Sequence, residues 1–189
     1  MPELPEVEVV KKSLESKIKN LVIKNVKIND GNLRYKLKSK ELPKICGLKI
    51  KKIERRSKFL LFYLNKFFVI LIHLGMTGKF FFIDNKHVKY KTSFYYKLDK
   101  KKNNKHDRVI FNLSRDQKLI YNDVRKFGFI KFLNKINFAQ NLHLKYLGPE
   151  PLNKKFNFTY FKKHTIGRNR TIKDILMDQK FVSGLGNIY

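Results

Sequence analysis

A single cysteine, Cys46, stands among 189 residues, which excludes an intrachain disulfide and any cysteine-rich metal centre. It is expected to be a small buried apolar residue. The five histidines, His73, His87, His106, His143 and His164, are scattered without ligand spacing, so no metal site is proposed and each is expected to be a surface or phosphate-facing residue. No apolar run is long enough to span a bilayer, and the first twenty residues carry Glu3, Glu6, Glu8 and Glu15 where a signal peptide would have its apolar core. No membrane partner is expected, and the chain reads as cytoplasmic. Acidic residues are also scarce, with 15 Asp+Glu against 43 Lys+Arg and a formal net charge of +28.

A surface that cationic repels itself unless a polyanion sits on it, which points to nucleic acid. Part of the excess reflects a composition rich in lysine, asparagine and phenylalanine, so charge supports a motif and does not replace one. The motif is at the start: Met1-Pro2-Glu3-Leu4-Pro5-Glu6. Removing Met1 leaves a proline amine beside carboxyl groups. An α-amino group titrates near ~7.7–8.0 against ~10.4 for lysine, so far more of it is unprotonated at neutral pH. A secondary amine that attacks a sugar aldehyde carbon forms an iminium that is already positively charged, an electron sink for expelling a neighbouring phosphate. The residues themselves also allow a plainer reading, in which Pro5, Glu3 and Glu6 simply favour a helix start.

The length suits one core domain with a smaller appendage. Val7, Val10, Leu14 and Ile18 recur at helical spacing and predict one amphipathic helix over 3–19. Extended runs follow at 21–28, 47–55, 58–64, 67–74, 79–83, 108–113, 118–122 and 129–133, rich in β-branched and aromatic residues. The fold class is α+β: an N-terminal helix on a β-sandwich of about eight strands, with the beginning of a helical domain after it. Residues 97–105 read as a charged loop. The expected domains are a sandwich at 1–133, a linker at 134–150 and helical stretches near 156–164 and 171–178 within 151–189.

Beyond the start, six blocks stand in order: Arg55-Arg56-Ser57-Lys58-Phe59-Leu60, His73-Leu74-Gly75-Met76-Thr77-Gly78, Lys105-His106-Asp107, Asp123-Val124-Arg125-Lys126-Phe127-Gly128, Leu147-Gly148-Pro149-Glu150-Pro151-Leu152, and Leu176-Met177-Asp178 through Gly184-Leu185-Gly186-Asn187-Ile188-Tyr189. With the start, they resemble the formamidopyrimidine-DNA glycosylase family. Leu4 resembles the branch acting on oxidised purines, since the endonuclease VIII branch typically has glycine there.

The resemblance implies base-excision repair by a glycosylase and abasic-site lyase that forms a Schiff base on Pro2. The partner it implies is double-stranded DNA carrying oxidised purines (8-oxoguanine, formamidopyrimidines) or abasic sites. Glu3 is similar to the acid that protonates the sugar ring oxygen; burial or a neighbouring charge must then oppose the helix dipole. Glu6 is expected to orient the N-terminal amine. Lys58 matches a lysine that contacts the phosphate beside the lesion and assists β-elimination. His106, Arg125, Arg168 and Asn187 match residues that hold DNA backbone. Met76, Arg125 and Phe127 match the plug that fills the void left by a flipped nucleotide. Residue type alone would put Met76 and Phe127 in the core.

Two loop positions depart from the family: Val124 replaces a common proline, and Lys126 stands where a second arginine is usual, which is expected to loosen the wedge. Family members also continue beyond the start of a helix-two-turn-helix to a four-cysteine zinc ribbon. No cofactor is therefore expected in this chain, and a second polypeptide is one source of the remaining half. Three readings follow: a piece of a glycosylase/lyase, a lyase acting only at abasic sites, or a non-enzymatic DNA-binding remnant. Ile172, Ile175, Leu176 and Ile188 are expected to present an uncovered apolar face.

Overall fold

The computed structural model describes residues 2–86, 88–91, 104–134, 136, 138 and 140–189. Most of the 97–105 loop and His87 therefore lie outside the described residues. Helix α1 (Leu4–Ile18) opens the chain, and Val7, Val10, Leu14 and Ile18 form its buried stripe. Two antiparallel sheets follow. One has the order β1 (Ile23–Ile28), β7 (Asp107–Leu113), β8 (Lys118–Asn122), β5 (Lys79–Ile83) and β6 (Lys89–Lys91). The other runs β2 (Ile50–Arg56), β3 (Phe59–Leu64), β4 (Phe68–His73) and β9 (Phe129–Asn134).

The principal core lies between the sheets and beneath α1. Leu60, Phe62 and Leu64 of β3 and Ile70 and Ile72 of β4 point into it beside the helix stripe. The intervening Leu61, Val69 and Leu71 point to the opposite face, where Phe129, Phe138 and Leu144 cover them. Strand side chains alternate between faces, so a sheet covered on both sides reads as an unbroken apolar run.

Nine strands are present among the described residues, one more than expected. The addition, β6, is a three-residue edge strand with lysines at both ends, a composition that blunts an open sheet edge and carries no strand signal in sequence. Helix α2 (Leu142–Lys145) forms inside the expected linker, capped by the Asn141 side chain, which accepts from His143 N–H. Helices α3 (Phe158–Thr165) and α4 (Ile172–Met177) are capped in the same manner by Asn157 and Thr171.

Two expectations about burial are corrected here. Ile175 is 1% exposed, because the chain turns back after α4 and sets Phe181 and Val182 against it. Leu176 joins that small core, whereas Ile172 and Ile188 remain exposed. Cys46 is half-buried, its thiol donating to Leu42 O at the end of a 3-10 turn. Among the described residues no helix is long and apolar enough to cross a membrane.

Candidate active site

Pro2 and Glu3 are buried at the mouth of α1, directly ahead of its first turn. The Glu3 backbone N–H donates to the Glu6 carboxylate, one of the donors that a helix start leaves without an intrahelical partner. The Glu3 side chain, 3% exposed, faces the other end of the chain. Its carboxylate accepts from the backbone N–H of Gly186 at 2.6 Å, Ile188 at 2.7 Å and Tyr189 at 3.3 Å. Such an approach requires glycine: a Cβ on Gly186 would stand 2.5 Å from Glu3 Oε1. The Leu4 N–H donates to Gly184 O at 3.0 Å, so the turn and the helix start are joined from both sides.

Lys58 sits in the turn between β2 and β3, after Ser57 with φ +55°. It is 5% exposed, and its ammonium donates to Leu185 O at 2.5 Å. Burial pulls the Lys58 pKa below the usual lysine range, opposed by the charges of Glu3 and Glu6. Glu3 and Lys58 thus meet at the turn of residues 184–189, with Pro2 and Glu6 flanking Glu3 at the start of α1.

Ionic contacts invisible to sequence reasoning hold that turn. Arg55 grips Glu150 with two parallel bonds of 2.9 and 2.8 Å, and its Nε donates to Glu8 at 2.8 Å. Arg56 donates to Leu147 O, Gly148 O and Ser183 Oγ. Ser57 N–H donates to Glu150 at 2.7 Å. Burial alone would raise the Glu150 carboxyl; the Arg55 and Ser57 hydrogen bonds and the two arginine charges outweigh it and hold the pKa below the ordinary value. Both halves of the clamp lie within blocks of the family resemblance, but nothing in sequence pairs residues 95 positions apart.

A second surface lies on the loops that follow β4 and β8. Asp123, fully buried, accepts from Gly128 N–H, Tyr121 OH and Thr77 Oγ1. Thr77 Oγ1 in turn accepts from Arg125 N–H at 3.0 Å. Gly75, at φ +63°, lets the two loops touch, since a Cβ there would meet Gly128 N at 2.4 Å. On this frame stand Met76 and Phe127, 45% and 44% exposed, with the Arg125 guanidinium 4.5 Å over the Phe127 ring. Lys126, at φ +58°, pairs with Asp30 at 2.7 Å, and Asp30 also receives Arg108 at 2.9 Å. The Lys126 hydrogen bond and then the Asn32 N–H hold the Asp30 carboxyl below its ordinary pKa. The lysine expected to loosen this loop is thus itself anchored.

His106 is half-buried beside this frame, its carbonyl accepting from Asp123 N–H and its Nδ1 3.2 Å from Arg108. Arg168, after α3, is exposed, and so is Asn187. His73, expected at the surface, is instead 8% exposed: its ring stacks on Phe129 and its Nδ1 accepts from Gly75 N–H. Burial, then the charges of Arg34, Lys58 and His143, push its pKa down to about 4. It bridges the two surfaces, paired with Phe59 beside Lys58 and leading into Gly75 and Met76.

This architecture is shared with solved DNA glycosylases. Lactococcus lactis Fpg bound to DNA containing an abasic site superposes with a TM-score of 0.82 at 30% identity, over 98% of this chain and 64% of that one. The wild-type Lactococcus lactis Fpg (MutM) with DNA containing an oxidised pyrimidine gives 0.82 and 30%, over 100% of this chain and 65% of that one. The sequence model of the formamidopyrimidine-DNA glycosylase N-terminal domain matches residues 1–130, and that of the family's H2TH domain matches 147–189. The chain belongs to the formamidopyrimidine-DNA glycosylase family. Its similarity to the formamidopyrimidine-DNA glycosylase of Rickettsia bellii is 42% identity over 194 residues, and to that of Rickettsia felis 40% over 189. The chain spans less than two thirds of these curated relatives, 64% and 63% of their lengths. A four-cysteine zinc site does not fit the residues present, of which Cys46 is the one cysteine.

Proposed function

We propose that the chain works in base-excision repair as the catalytic part of a bifunctional glycosylase and abasic-site lyase, acting in the cytoplasm on duplex DNA with oxidised purines or abasic sites. The observation that carries this reading is the burial of Glu3 and Lys58 against one turn at the mouth of the helix that Pro2 precedes. With Met1 removed, the Pro2 amine attacks C1′ of the damaged nucleotide, and the base departs with its bonding electrons and a proton. Glu3 protonates the ring oxygen as the sugar opens, leaving an iminium between Pro2 and C1′. Loss of a C2′ proton then breaks the C3′–O bond and releases the phosphate, and water returns the amine. Lys58, cationic but partly desolvated, suits the phosphate beside the reacting sugar. The void left by the flipped nucleotide is filled by Met76, Arg125 and Phe127, whose exposed apolar and planar faces suit contact with bases. His106, Arg125, Arg168 and Asn187 hold backbone phosphates in the same reading.

Borohydride trapping tests it, using the 189-residue protein on abasic and 8-oxoguanine duplexes, with Pro2→Gly as control and Met1 removal checked by mass. A covalent adduct on the abasic duplex that vanishes in the control supports the amine chemistry, and an adduct on 8-oxoguanine supports base excision. An adduct that appears only when the C-terminal third of a relative is added would assign completion of the site to a second polypeptide. Absence of any adduct, with the protein folded and Met1 removed, would overturn the reading for this chain.

A further inference from the structure

Beyond the wedge loops lies a cavity of about 390 Å³ that none of the functional residues above lines. Its walls include Tyr35, Lys36, Lys38, Glu41, Lys131 and Asn141. Lys131, on β9, is half-buried, with its ammonium 4.2 Å over the Tyr35 ring and 5.5 Å from that of Phe129. It donates to His143 Nε2 at 2.8 Å. Among the described residues no carboxylate lies within ion-pair distance of Arg34, Lys36, Lys38 or Lys131, whereas Arg55, Arg56, Arg108 and Lys126 are all paired. The neighbours also work against one another: burial and then Lys38 lower the Lys131 pKa, and burial, Lys131 and Arg34 lower that of His143. Glu41 is the one acid on the wall, facing three lysines. A concave wall that sets three lysines, one of them half-buried, against a single acid is suited to receive an anion.

The position of the cavity indicates which anion. Arg34 N–H donates to Gly128 O at 3.1 Å, fastening this segment to the wedge loop. Lys131 follows Gly128 by three residues, about 10 Å of strand, or roughly three base steps of a duplex. We infer that the Tyr35–Lys38–Lys131 cavity is a further DNA-backbone site, taking a phosphodiester of the bound duplex roughly three steps from the wedge position. The inference rests on the proposed engagement of duplex DNA, but not on the chemistry at Pro2. Lys131 and Lys38 supply charge to the phosphate oxygens, Tyr35 supplies a phenolic donor, and the ring beneath Lys131 limits its range of positions.

The test is anisotropy titration of the 189-residue protein with a long duplex carrying a tetrahydrofuran abasic analogue, over a series of salt concentrations. Lys131→Gln is expected to reduce the slope of log K against log salt by about 0.9, and the Lys38→Gln/Lys131→Gln pair by about 1.8. Lys131→Arg keeps the slope, and Lys24→Gln, on the exposed side of β1, serves as the measure of generic charge. Replacing single phosphodiesters by neutral methylphosphonates in the wild-type complex locates the contact, and the expected position loses its effect in Lys131→Gln. A slope unchanged in Lys131→Gln, or lowered no more than in Lys24→Gln, overturns the inference, as does failure of the wild-type protein to bind the duplex. An altered slope without any borohydride adduct would leave this site standing while the lyase reading falls. Melting temperature checks that each variant is folded.

Discussion

Glu3 is 3% exposed and accepts three backbone N–H groups, whereas Met76 and Phe127 leave 45% and 44% of their surface to solvent on loops hydrogen-bonded beneath them. At the start of α1, Glu3, Glu6 and Lys58 are themselves members of the hydrogen-bond network. In the wedge, the network consists of Asp123, Thr77, Gly75 and Gly128, and the side chains assigned to DNA project from it. Damage at the start of α1 should therefore cost structure and activity together, while the wedge should allow the two to be separated.

The most far-reaching test of that contrast is His73, which touches both regions. Its folded pKa of about 4 lies below the ordinary 6.5, so the unfolded chain takes up the proton first as pH falls. The stability it contributes is fully present above pH 6.5 and is lost progressively toward about pH 4, a loss of about 3 kcal/mol. Melting curves between pH 7 and 4.5 should show His73→Gln with a shallower slope than wild type; coincident slopes would remove His73 from the pH response. Next in size, Gly186→Ala should reduce adduct formation on an abasic duplex by ~100-fold, because its Cβ displaces the Glu3 carboxylate. Trapping at wild-type rates would show that the Glu3 position is not coupled to this turn.

Within the wedge, Asp123→Ala leaves buried donors on Gly128 and Tyr121 without their acceptor and should cost about 2 kcal/mol in urea denaturation. Phe127→Ala should change stability by less than about 0.5 kcal/mol while weakening the preference for an abasic duplex over an intact one. A stability loss of several kcal/mol from Phe127→Ala would place the ring in the core and break the comparison.

The sandwich was legible because β3 and β4 are dense apolar runs and α1 spaces its buried residues by three and four. Lys89-Tyr90-Lys91 is not legible as a strand because an edge strand of three residues has neither length nor an apolar face to betray it. The burial of Ile175 is not legible in sequence because its cover, Phe181 and Val182, comes from a turn rather than a periodic element. Scattered histidines without ligand spacing point to a surface or phosphate-facing place for His73, yet a neutral imidazole stacked on Phe129 is well accommodated inside. The motif blocks drew attention to Arg55, Arg56 and Glu150, but their pairing depends on three-dimensional proximity that spacing does not encode. The cations of the Tyr35 cavity were hidden by abundance, since among 43 Lys+Arg the sequence does not show that Lys36, Lys38 and Lys131 share one wall.

Glu3 and Tyr189 lie 186 positions apart, yet they meet in one hydrogen bond. On a ribosome adding ~5–20 residues per second, roughly 10–40 s pass between the making of the one and the other. For that interval the α1 segment exists without the N–H groups that receive its carboxylate, so a nascent chain carries the Pro2 segment long before it carries the site. The timing of translation therefore separates the amine from the geometry that would make it reactive.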